Sequence, residues 1–287
     1  MVDKQEKILG ILLAVIQKEH KGFLGIFSAR SIIFGGPLIK DDNIDVLDYL
    51  LNAYNKRIEG KVVYSQFRNQ WEWNDKHKDI FAKHRFDYEE HLDIIHDISL
   101  PVNELFMKIH KGRRKNIRRA ERNNIEFSEI KNEIELHHAF DLIKETYKGV
   151  RLPLPDESLF KSSFEIFSEK DYIKVFIAKI QGETIATRIV LCFNYLIYDW
   201  YAGSSYKYRE KYPNDYLPWK VIEWVANNGY KYFDFGGAGK PNVPYGVRDY
   251  KMKFGGELVE YGRYKKIHKK LLMKIGELGL TIYKLIK

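Results

Sequence analysis

Four glycines lie between residues 236 and 246, and Arg248 and Lys251 follow them directly. Closely spaced glycines can form a concavity lined by backbone amides that binds an anion or an oxyanion. A lysine held where tetrahedral charge develops stabilises that charge without transferring a proton. The pattern therefore predicts an oxyanion site with Lys251 as its cationic group. The alternative is a plain turn followed by a surface lysine.

The densest cluster of positive charge lies between Lys108 and Arg122, where eight lysines and arginines stand against one acid, Glu121. A basic run of this length on a helix is an electrostatic footprint for phosphate groups. It lacks interleaved aromatic residues that could stack on exposed bases. It is therefore either a contact for nucleic acid or phosphate, or a solvated helix face. The arginines predicted to make this contact are Arg113, Arg114, Arg118 and Arg119.

The segment from Tyr198 to Trp219 runs from a predicted strand through a loop into the start of a predicted helix. Free backbone N–H groups at such a helix start attract anions. Closely spaced glycines typically hold the pyrophosphate of coenzyme A there, and residues 204–216 contain none. This absence argues against an ordinary acyl-CoA donor. The aromatic residues of the segment either line a site or belong to the core.

Composition excludes several classes of protein. A chain of 287 residues with 45% hydrophobic and 30% charged residues can bury a core in one large domain or two smaller ones. Its net charge of +9 favours polyanionic partners: nucleic acid, phosphorylated substrates or an anionic membrane surface. The single cysteine, Cys192, excludes an internal disulfide and predicts a protein of the reducing cytoplasm. The longest apolar run, residues 8–16, is too short to span a membrane. No metal-binding motif, phosphate loop or serine elbow occurs, so we expect no metal.

Hydrophobic periodicity predicts the elements that must position these residues. The first half is expected to contain apolar strand-like segments at 7–17 and 22–34, a helix near 41–54, strands at 61–69 and 93–100, and one helix at 102–123. The second half is expected to contain helices at 133–147 and 155–168, strands at 172–179, 183–193 and 195–202, a helix at 216–227, a short strand at 231–235 and a final strand at 257–264. This order predicts an α+β fold with a mostly antiparallel sheet.

The last segment, residues 265–287, carries an apolar stripe at helical spacing, with most of its lysines on other faces. A basic amphipathic helix of this kind can lie on an anionic membrane. Gly276 and Gly279 weaken a free-standing helix and favour the alternative, in which the stripe packs on the protein's own core.

Five short segments follow one another along the chain, and their order is more specific than any one of them. They are Arg113–Ile125, Arg151-Leu-Pro153, Pro213-Asn-x-x-Leu-Pro-Trp219, Asp234-Phe-Gly-Gly237 and Tyr250-Lys251-x-x-Phe254-Gly255. Together they resemble the FemAB/FemX-like aminoacyltransferases, the peptidoglycan bridge-forming enzymes of the GNAT-fold superfamily. The resemblance implies tandem GNAT-like domains with flanking helices: a truncated first domain at 1–124, which includes the basic linking helix, a catalytic domain at 125–264, and the basic helix at 265–287.

The resemblance also implies a reaction. An aminoacyl group would move from aminoacyl-tRNA to an amine of a peptidoglycan precursor, with the charged tRNA as co-substrate and no further cofactor. Lys251 matches the lysine of the family's aromatic-Lys-x-x-Phe-Gly motif, which implies stabilisation of the transition-state oxyanion, and Lys253 is the second choice. The residues expected to bind substrate are Arg151, Tyr198, Tyr201, Asn214, Trp219, Arg248 and Lys253.

Two other functions stay open. One is an acyl-CoA-dependent N-acyltransferase that acts on a sugar or glycan amine. The other is a non-catalytic protein that binds nucleic acid or a membrane surface through its basic helices. The general base is unassigned, since Asp234 and Asp249 lie near the predicted loop but are expected to cap it. These hypotheses predict a cytoplasmic location and allow peripheral contact of the C-terminal helix at the inner face of the membrane.

Overall fold

The computed structural model describes residues 1–2, 4–18, 22 and 25–276. The chain forms two compact units. Unit 1 consists of Met1–Leu92 together with the chain from Glu260 onward, and unit 2 consists of Asp93–Val259.

Unit 1 is built on a five-stranded and a two-stranded sheet. Its elements are β1 (Gly10–Ile11), β2 (Val15–Gln17), α1 (Gly25–Ser28), β3 (Arg30–Gly35), β4 (Leu38–Ile39), α2 (Ile44–Ile58), β5 (Tyr64–Asn69), α3 (Asp75–Lys83), β6 (Asp87–Glu89) and, late in the chain, β14 (Arg263–Ile267). The larger sheet has the order β2-β3-β5-β14-β6, with a parallel pair β3–β5 and antiparallel neighbours elsewhere. Strand β1 pairs antiparallel with β4.

Helix α2 forms the core of unit 1 with the larger sheet. It begins after Asn43, because the Asn43 side chain accepts hydrogen bonds from the backbone N–H groups of two residues in the first turn. The buried Tyr54 hydroxyl lies 2.7 Å from Ser31 Oγ and 2.6 Å from Ser65 Oγ, so its polar atom is satisfied inside the core. The apolar side chains around it include Leu47, Leu51, Phe67, Phe81 and Phe86.

Unit 2 is built on a seven-stranded sheet. Its elements are β7 (Leu92–Asp97), α4 (Val102–Lys108), α5 (Lys111–Arg122), β8 (Glu126–Glu129), α6 (Glu133–Gly149), α7 (Glu157–Phe167), β9 (Ile173–Ile180), β10 (Glu183–Phe193), β11 (Leu196–Ser204), α8 (Pro213–Asn227), β12 (Tyr232–Asp234), α9 (Gly246–Met252) and β13 (Glu257–Glu260). The strand order is β13-β7-β12-β11-β10-β9-β8. Strands β11 and β12 pair parallel, whereas the pairs β7–β12, β10–β11, β9–β10 and β8–β9 are antiparallel. The predicted α+β fold with mostly antiparallel sheets is confirmed.

Close packing of α6 on β11 explains one glycine of unit 2. A Cβ atom on Gly203 would lie 2.5 Å from the backbone nitrogen of Ile143, so only glycine fits between strand and helix. In the neighbouring strand β10, Cys192 is 3% exposed, and burial raises the pKa of its thiol to about 11. The thiol therefore serves core packing, as its position in an apolar strand predicts.

The helix predicted at 102–123 is two helices, α4 and α5. Ile109 adopts an extended conformation between them, and His110 begins α5, where its Nδ1 accepts a hydrogen bond from the backbone N–H of Gly112. The break leaves two carbonyl groups near the end of α4 that bond to the Arg114 guanidinium, those of Met107 at 2.6 Å and Ile109 at 2.5 Å. The apolar periodicity continues from α4 to α5, but capping contacts from the side chains of His110 and Arg114 accompany a break in the backbone helix.

The units divide the chain differently from the predicted boundary at residue 124. Helices α4 and α5 pack on α8, and β7 pairs with β12, so residues 93–124 belong to unit 2. The strand predicted at 257–264 is two strands, separated at Gly262, which has a φ of 65° and lies against the ring of Tyr88. The second of them, β14, joins the sheet of unit 1.

The predicted C-terminal helix at 265–287 also begins differently. Residues 265–267 belong to β14, which pairs with β5 and β6, and residues 270–276 are helical. The rest of the prediction, from residue 277, lies outside the described residues. Helices α1, α3 and α9 were not expected from the sequence, and α1 lies inside the segment 22–34 that was predicted to be strand-like.

Candidate active site

Strands β11 and β12 separate in the middle of the unit 2 sheet. They pair over three positions only, from Leu196 opposite Tyr232 to Tyr198 opposite Asp234, after which β12 ends while β11 continues to Ser204. On its other side, β11 carries a bulge, because Tyr201 pairs with Ile189 whereas Asp199 pairs with Val190. Bulges of this kind redirect side chains and are common next to active sites. We call the place where the two strands separate the strand fork.

Helix α9 places Lys251 at the strand fork. Its ammonium group donates hydrogen bonds to the carbonyl oxygens of Gly236 at 3.1 Å and Gly237 at 3.0 Å, which begin the loop after β12. Burial lowers the pKa of Lys251, and the nearby carboxylates of Asp199 and Asp93 oppose this shift. Lys251 is therefore half-buried, and its two hydrogen bonds hold it in a fixed position.

A buried ion pair lies beside this lysine. The Arg188 guanidinium on β10 donates to the carboxylate of Asp199 on β11, and the two side chains are 7% and 8% exposed. Burial raises the pKa of Asp199, although Arg188 and Lys251 both act to lower it. Arg188 Nε and Asp199 Oδ1 have no hydrogen-bond partner among the described residues. The strand fork thus holds polar groups that the protein does not fully pair.

Two further carboxyl groups lie beneath the glycine-rich loop. Asp234, at the end of β12, accepts a hydrogen bond from the backbone N–H of Gly236 at 2.6 Å. Burial, and then the neighbouring carboxyl of Asp93, raise the pKa of Asp234 to about 8. Asp234 therefore caps the start of the loop, as expected from the sequence, and burial with Asp93 beside it favours its protonated form.

Arg248 binds the loop from within instead of facing an open site. Its guanidinium donates to three carbonyl oxygens of the loop, those of Ala238 at 3.4 Å, Lys240 at 2.8 Å and Val243 at 2.5 Å. These bonds use donors that the predicted bidentate contact with a substrate phosphate or carboxylate would need. Arg248 thus holds the shape of residues 236–246.

Two of the other predicted substrate-binding residues lie at or near the fork. The Tyr198 ring lies against Gly236, because a Cβ there would lie 3.3 Å from the tyrosine oxygen. Tyr201 packs against the rings of Phe160 and Tyr147, at centroid distances of 4.9 and 5.7 Å.

The remaining predicted substrate-binding residues are more scattered. Trp219 is 4% exposed and packs on Phe106, in the core between α4 and α8. Asn214 has an exposed side chain, and its backbone carbonyl accepts from the Tyr250 hydroxyl at 2.6 Å. Arg151 and Lys253 are exposed.

The four arginines expected to bind phosphate all make contacts inside unit 2. Arg113 donates to the buried carboxylate of Asp215 at 2.6 Å, and Arg119 donates to the Tyr212 hydroxyl at 3.0 Å. Arg114 caps the end of α4, whereas Arg118 is exposed with its guanidinium 5.4 Å from the centre of the Phe106 ring. The exposed cations of α5 recur instead at spacings of four, three and four: Lys111, Lys115, Arg118 and Arg122. We call this set the α5 stripe.

Sequence reasoning missed Arg188, Asp199 and Asp93. A signal for the first two exists, because Arg188 and Asp199 are each a charged residue in the interior of a mostly apolar strand, and a two-residue turn joins the two strands. A charge at such a position is rarely buried unless it is paired.

Two properties of the described residues concern metals and membranes. Within residues 1–276, apart from the gaps given above, no group of three histidine, cysteine, aspartate or glutamate side chains is arranged to hold a metal ion. In the same part of the chain, the helices are all too short or too polar to cross a bilayer.

Comparison with known proteins identifies the domain that contains the fork. Residues 111–252 match the family model of the acetyltransferase (GNAT) domain. We call residues 111–252 the GNAT domain after this match. It begins with α5 and ends with α9, so it includes the basic helix, the strand fork and Lys251. The match supports acyl transfer as the reaction class of this segment. No curated protein sequence matches the chain.

Solved structures extend the similarity beyond the GNAT domain. A crystal structure of FemX is 14% identical, with a TM-score of 0.71 over 96% of this chain and 88% of FemX. L-PGS from Bacillus licheniformis is 15% identical, with a TM-score of 0.61 over 99% of this chain and 87% of L-PGS. A tandem GNAT protein from the clavulanic acid biosynthesis pathway is 8% identical, with a TM-score of 0.56 over 93% of this chain and 81% of that protein. These likenesses confirm the predicted FemX-like, tandem GNAT fold.

Proposed function

We propose that this protein transfers an aminoacyl group from aminoacyl-tRNA to an amine of a peptidoglycan precursor. The proposal rests on one observation above all, the Lys251 ammonium fixed by two glycine carbonyls at the strand fork of the GNAT domain. The ordered motifs that resemble FemAB/FemX-like enzymes support the aminoacyl group and the acceptor.

In this reaction the acceptor amine attacks the ester carbonyl of the charged tRNA. A C–N bond forms, the ester C–O bond breaks, and the ribose hydroxyl leaves with a proton while the amine loses one. Negative charge develops on the carbonyl oxygen. An ammonium group has three N–H donors, and Lys251 uses two of them on Gly236 and Gly237. The third is available to the oxyanion, in a position that needs no rearrangement during the reaction.

The start of helix α8 supports a donor other than coenzyme A. Pro213 has no N–H, and the N–H groups of Asp215 and Tyr216 both donate to the carbonyl of Tyr212. The carboxylate of Asp215, 5% exposed, lies in this first turn and pairs with Arg113. A diphosphate placed here would face a buried carboxylate and few free amides, in contrast to the usual helix start that binds phosphates.

The α5 stripe supports a polyanionic donor. Its four cations lie on one face of a helix within the GNAT domain, and Glu121 is the one acid of α5. Neutralisation of RNA phosphates by such cations gives salt-dependent affinity without base recognition. The inward arginines of α5 hold the helix against the rest of unit 2, so the stripe has a fixed orientation.

A second candidate is an N-acyltransferase that uses acyl-CoA and modifies a sugar or glycan amine. The match of residues 111–252 to an acetyltransferase family favours it. The two candidates differ in the donor and share the proposed role of Lys251.

The test compares donors and variants in one assay. Purified protein is incubated with charged tRNA or with acyl-CoA, and transfer to a peptidoglycan precursor or an amino sugar is measured. We expect transfer from charged tRNA only, and a 10²- to 10³-fold lower kcat for Lys251→Met, the usual cost of removing one oxyanion donor. Lys253→Met tests the second choice, which directly follows the same helix, and Lys170→Met is the control for loss of an exposed lysine in unit 2.

The outcomes separate the two candidates. Transfer from acyl-CoA and not from charged tRNA would support the second candidate and contradict the proposed donor. Full activity of Lys251→Met with either donor would remove the proposed oxyanion role, and a loss confined to Lys253→Met would assign that role to the neighbouring lysine.

A further inference from the structure

Unit 1 contains an open cavity of about 790 Å³, and none of its lining residues belongs to the GNAT domain. It lies where the end of α2, the start of β6 and the chain after β14 come together. Its volume is in the range of small-molecule sites. Neither the motifs nor the proposed acyl transfer accounts for it.

The walls of this cavity are predominantly cationic. Glu59 and Asp87 are its two acidic lining residues. Among the described residues, no basic side chain of the lining lies within 4 Å of a carboxylate, although the adjacent Lys265 pairs with Glu89 at 3.6 Å. The basic lining residues are Lys56, Arg85, Lys266, His268, Lys269 and Lys270.

Two of these groups are half-buried and hydrogen-bonded only to neutral atoms. Lys266 Nζ donates to Asn55 Oδ1 at 3.0 Å and to the carbonyl of His84 at 2.9 Å. His268 Nε2 lies 2.8 Å from Ser65 Oγ. Burial, and then nearby positive charge, lower the pKa of both side chains: Arg85 acts on Lys266, and Lys266 with Lys269 acts on His268. Like charges thus crowd the cavity, and among the described residues none of its cations lies within 4 Å of a carboxylate. A bound anion would supply the opposite charge.

An apolar pair adjoins the cations. In helix 270–276, Leu271 is 73% exposed and Ile275 is 56% exposed, four residues apart on one helical face. Exposed apolar residues beside clustered lysines are typical of segments that lie on anionic lipid.

From these contacts we infer that the unit 1 cavity binds the phosphate group of an anionic ligand, either a phospholipid headgroup or a soluble phosphate. Lys266 and Arg85 would contribute from two walls, and Lys269 and Lys270 from the rim. The inference concerns unit 1 alone and does not depend on the proposed reaction of the GNAT domain.

The experiment measures binding to two probes with the full chain. Inorganic pyrophosphate is titrated calorimetrically, and phosphatidylglycerol vesicles are compared with phosphatidylcholine vesicles by co-sedimentation. Lys269→Gln/Lys270→Gln is compared with Lys40→Gln/Lys76→Gln, whose lysines are exposed in unit 1 outside the cavity. Each double variant lowers the net charge of +9 by two, so charge alone cannot separate them. We expect the cavity variant to bind about thirtyfold more weakly, at about fivefold per near-surface cation, and the control within threefold.

Each result has one meaning. Loss confined to the cavity variant with phosphatidylglycerol vesicles supports the site and identifies a lipid headgroup. The same loss with pyrophosphate alone supports the site and identifies a soluble phosphate. Arg85→Gln, on the opposite wall, should reduce the same binding about fivefold, which guards against misfolding of the double variant. Equal binding by both double variants, or no binding of either probe by the native protein, would overturn the inference.

Discussion

Two half-buried lysines, Lys251 and Lys266, make similar hydrogen bonds, but the charged groups around them differ in sign. Lys251 in unit 2 donates to two backbone carbonyls, and Lys266 in unit 1 donates to an amide oxygen and a backbone carbonyl. Burial lowers the pKa of both. Carboxylates oppose that shift at Lys251, first Asp199, whereas Arg85 reinforces it at Lys266.

The difference in surrounding charge distinguishes a site whose cation has protein carboxylates beside it from one whose cations do not. At the strand fork, the protein supplies both signs of charge, so the lysine is positioned before any substrate arrives. In the unit 1 cavity, no basic lining residue lies within 4 Å of a carboxylate among the residues that the structure describes, and the proposed anionic ligand would supply the negative charge. Charge balance, more than the lysine itself, separates a reaction centre from an anion-binding site.

The largest expected effect on stability comes from removing one partner of the Arg188–Asp199 ion pair at the strand fork. Asp199→Ala leaves Arg188 buried without its partner, and we expect the free energy of unfolding to fall by about 3–5 kcal/mol. In unit 1, Asp87 is exposed and forms no ion pair with a buried residue among those described. Asp87→Ala should therefore change the free energy of unfolding by less than about 0.5 kcal/mol. Urea unfolding followed by circular dichroism measures both.

The double variant Arg188→Met/Asp199→Leu is the control for this prediction. Since it removes both charges, it should recover most of the stability lost in Asp199→Ala. A loss of under 1 kcal/mol in Asp199→Ala itself would show that the pair does not balance the fork.

A second prediction concerns pH and the Asp234–Asp93 pair. Burial and Asp93 raise the pKa of Asp234 from its ordinary value near 3.8 to about 8, so between these values the folded state binds a proton that the unfolded state does not. Stability should therefore fall as pH rises from about 4 to about 8. Asp234→Asn keeps the oxygen that accepts from Gly236 and removes the titration. The free energy of unfolding of this variant should therefore lose most of its decline across that window, which amounts to about 1.4 kcal/mol per pH unit for one proton.

Urea unfolding at several pH values measures this slope. Asp93→Asn should flatten it less, because it removes one cause of the raised pKa and leaves burial in place. An unchanged slope in Asp234→Asn would contradict the assignment of the proton to this pair.

The third prediction separates the two lysines by their response to an anion. At a concentration ten times its dissociation constant, pyrophosphate should stabilise the native protein by about 1.4 kcal/mol, seen as a rise in melting temperature. Lys251→Met should keep the full response, and Lys269→Gln/Lys270→Gln should lose most of it. The reverse pattern would place the anion at the strand fork.

The sequence predicted one lysine of this comparison and could not predict its surroundings. Lys251 follows closely spaced glycines in a short motif, so local order along the chain was enough to select it. Its partner Asp199 depends on a bulge that shifts the β10–β11 register by one residue, which alternation of apolar residues does not reveal. The unit 1 cavity depends on β14, whose pairing with β5 joins positions about two hundred residues apart in sequence. Local pattern thus predicted elements and one cation, whereas long-range pairing determined which charges meet.

The smallest effect on stability is expected for substitutions on the exposed face of α5, opposite the arginines that contact the rest of unit 2. Lys111 and Lys115 are exposed members of the α5 stripe, so Lys111→Gln/Lys115→Gln should change the free energy of unfolding by less than about 0.5 kcal/mol. If the stripe binds tRNA, the slope of log affinity against log salt should shrink by about 1.5, the share of two phosphate contacts. Lys148→Gln/Lys170→Gln, which removes two exposed lysines elsewhere in unit 2, should leave the slope unchanged. Filter binding of tRNA at four salt concentrations measures it, and equal slopes for the two double variants would exclude the stripe as the RNA contact while leaving the anion site of unit 1 untouched.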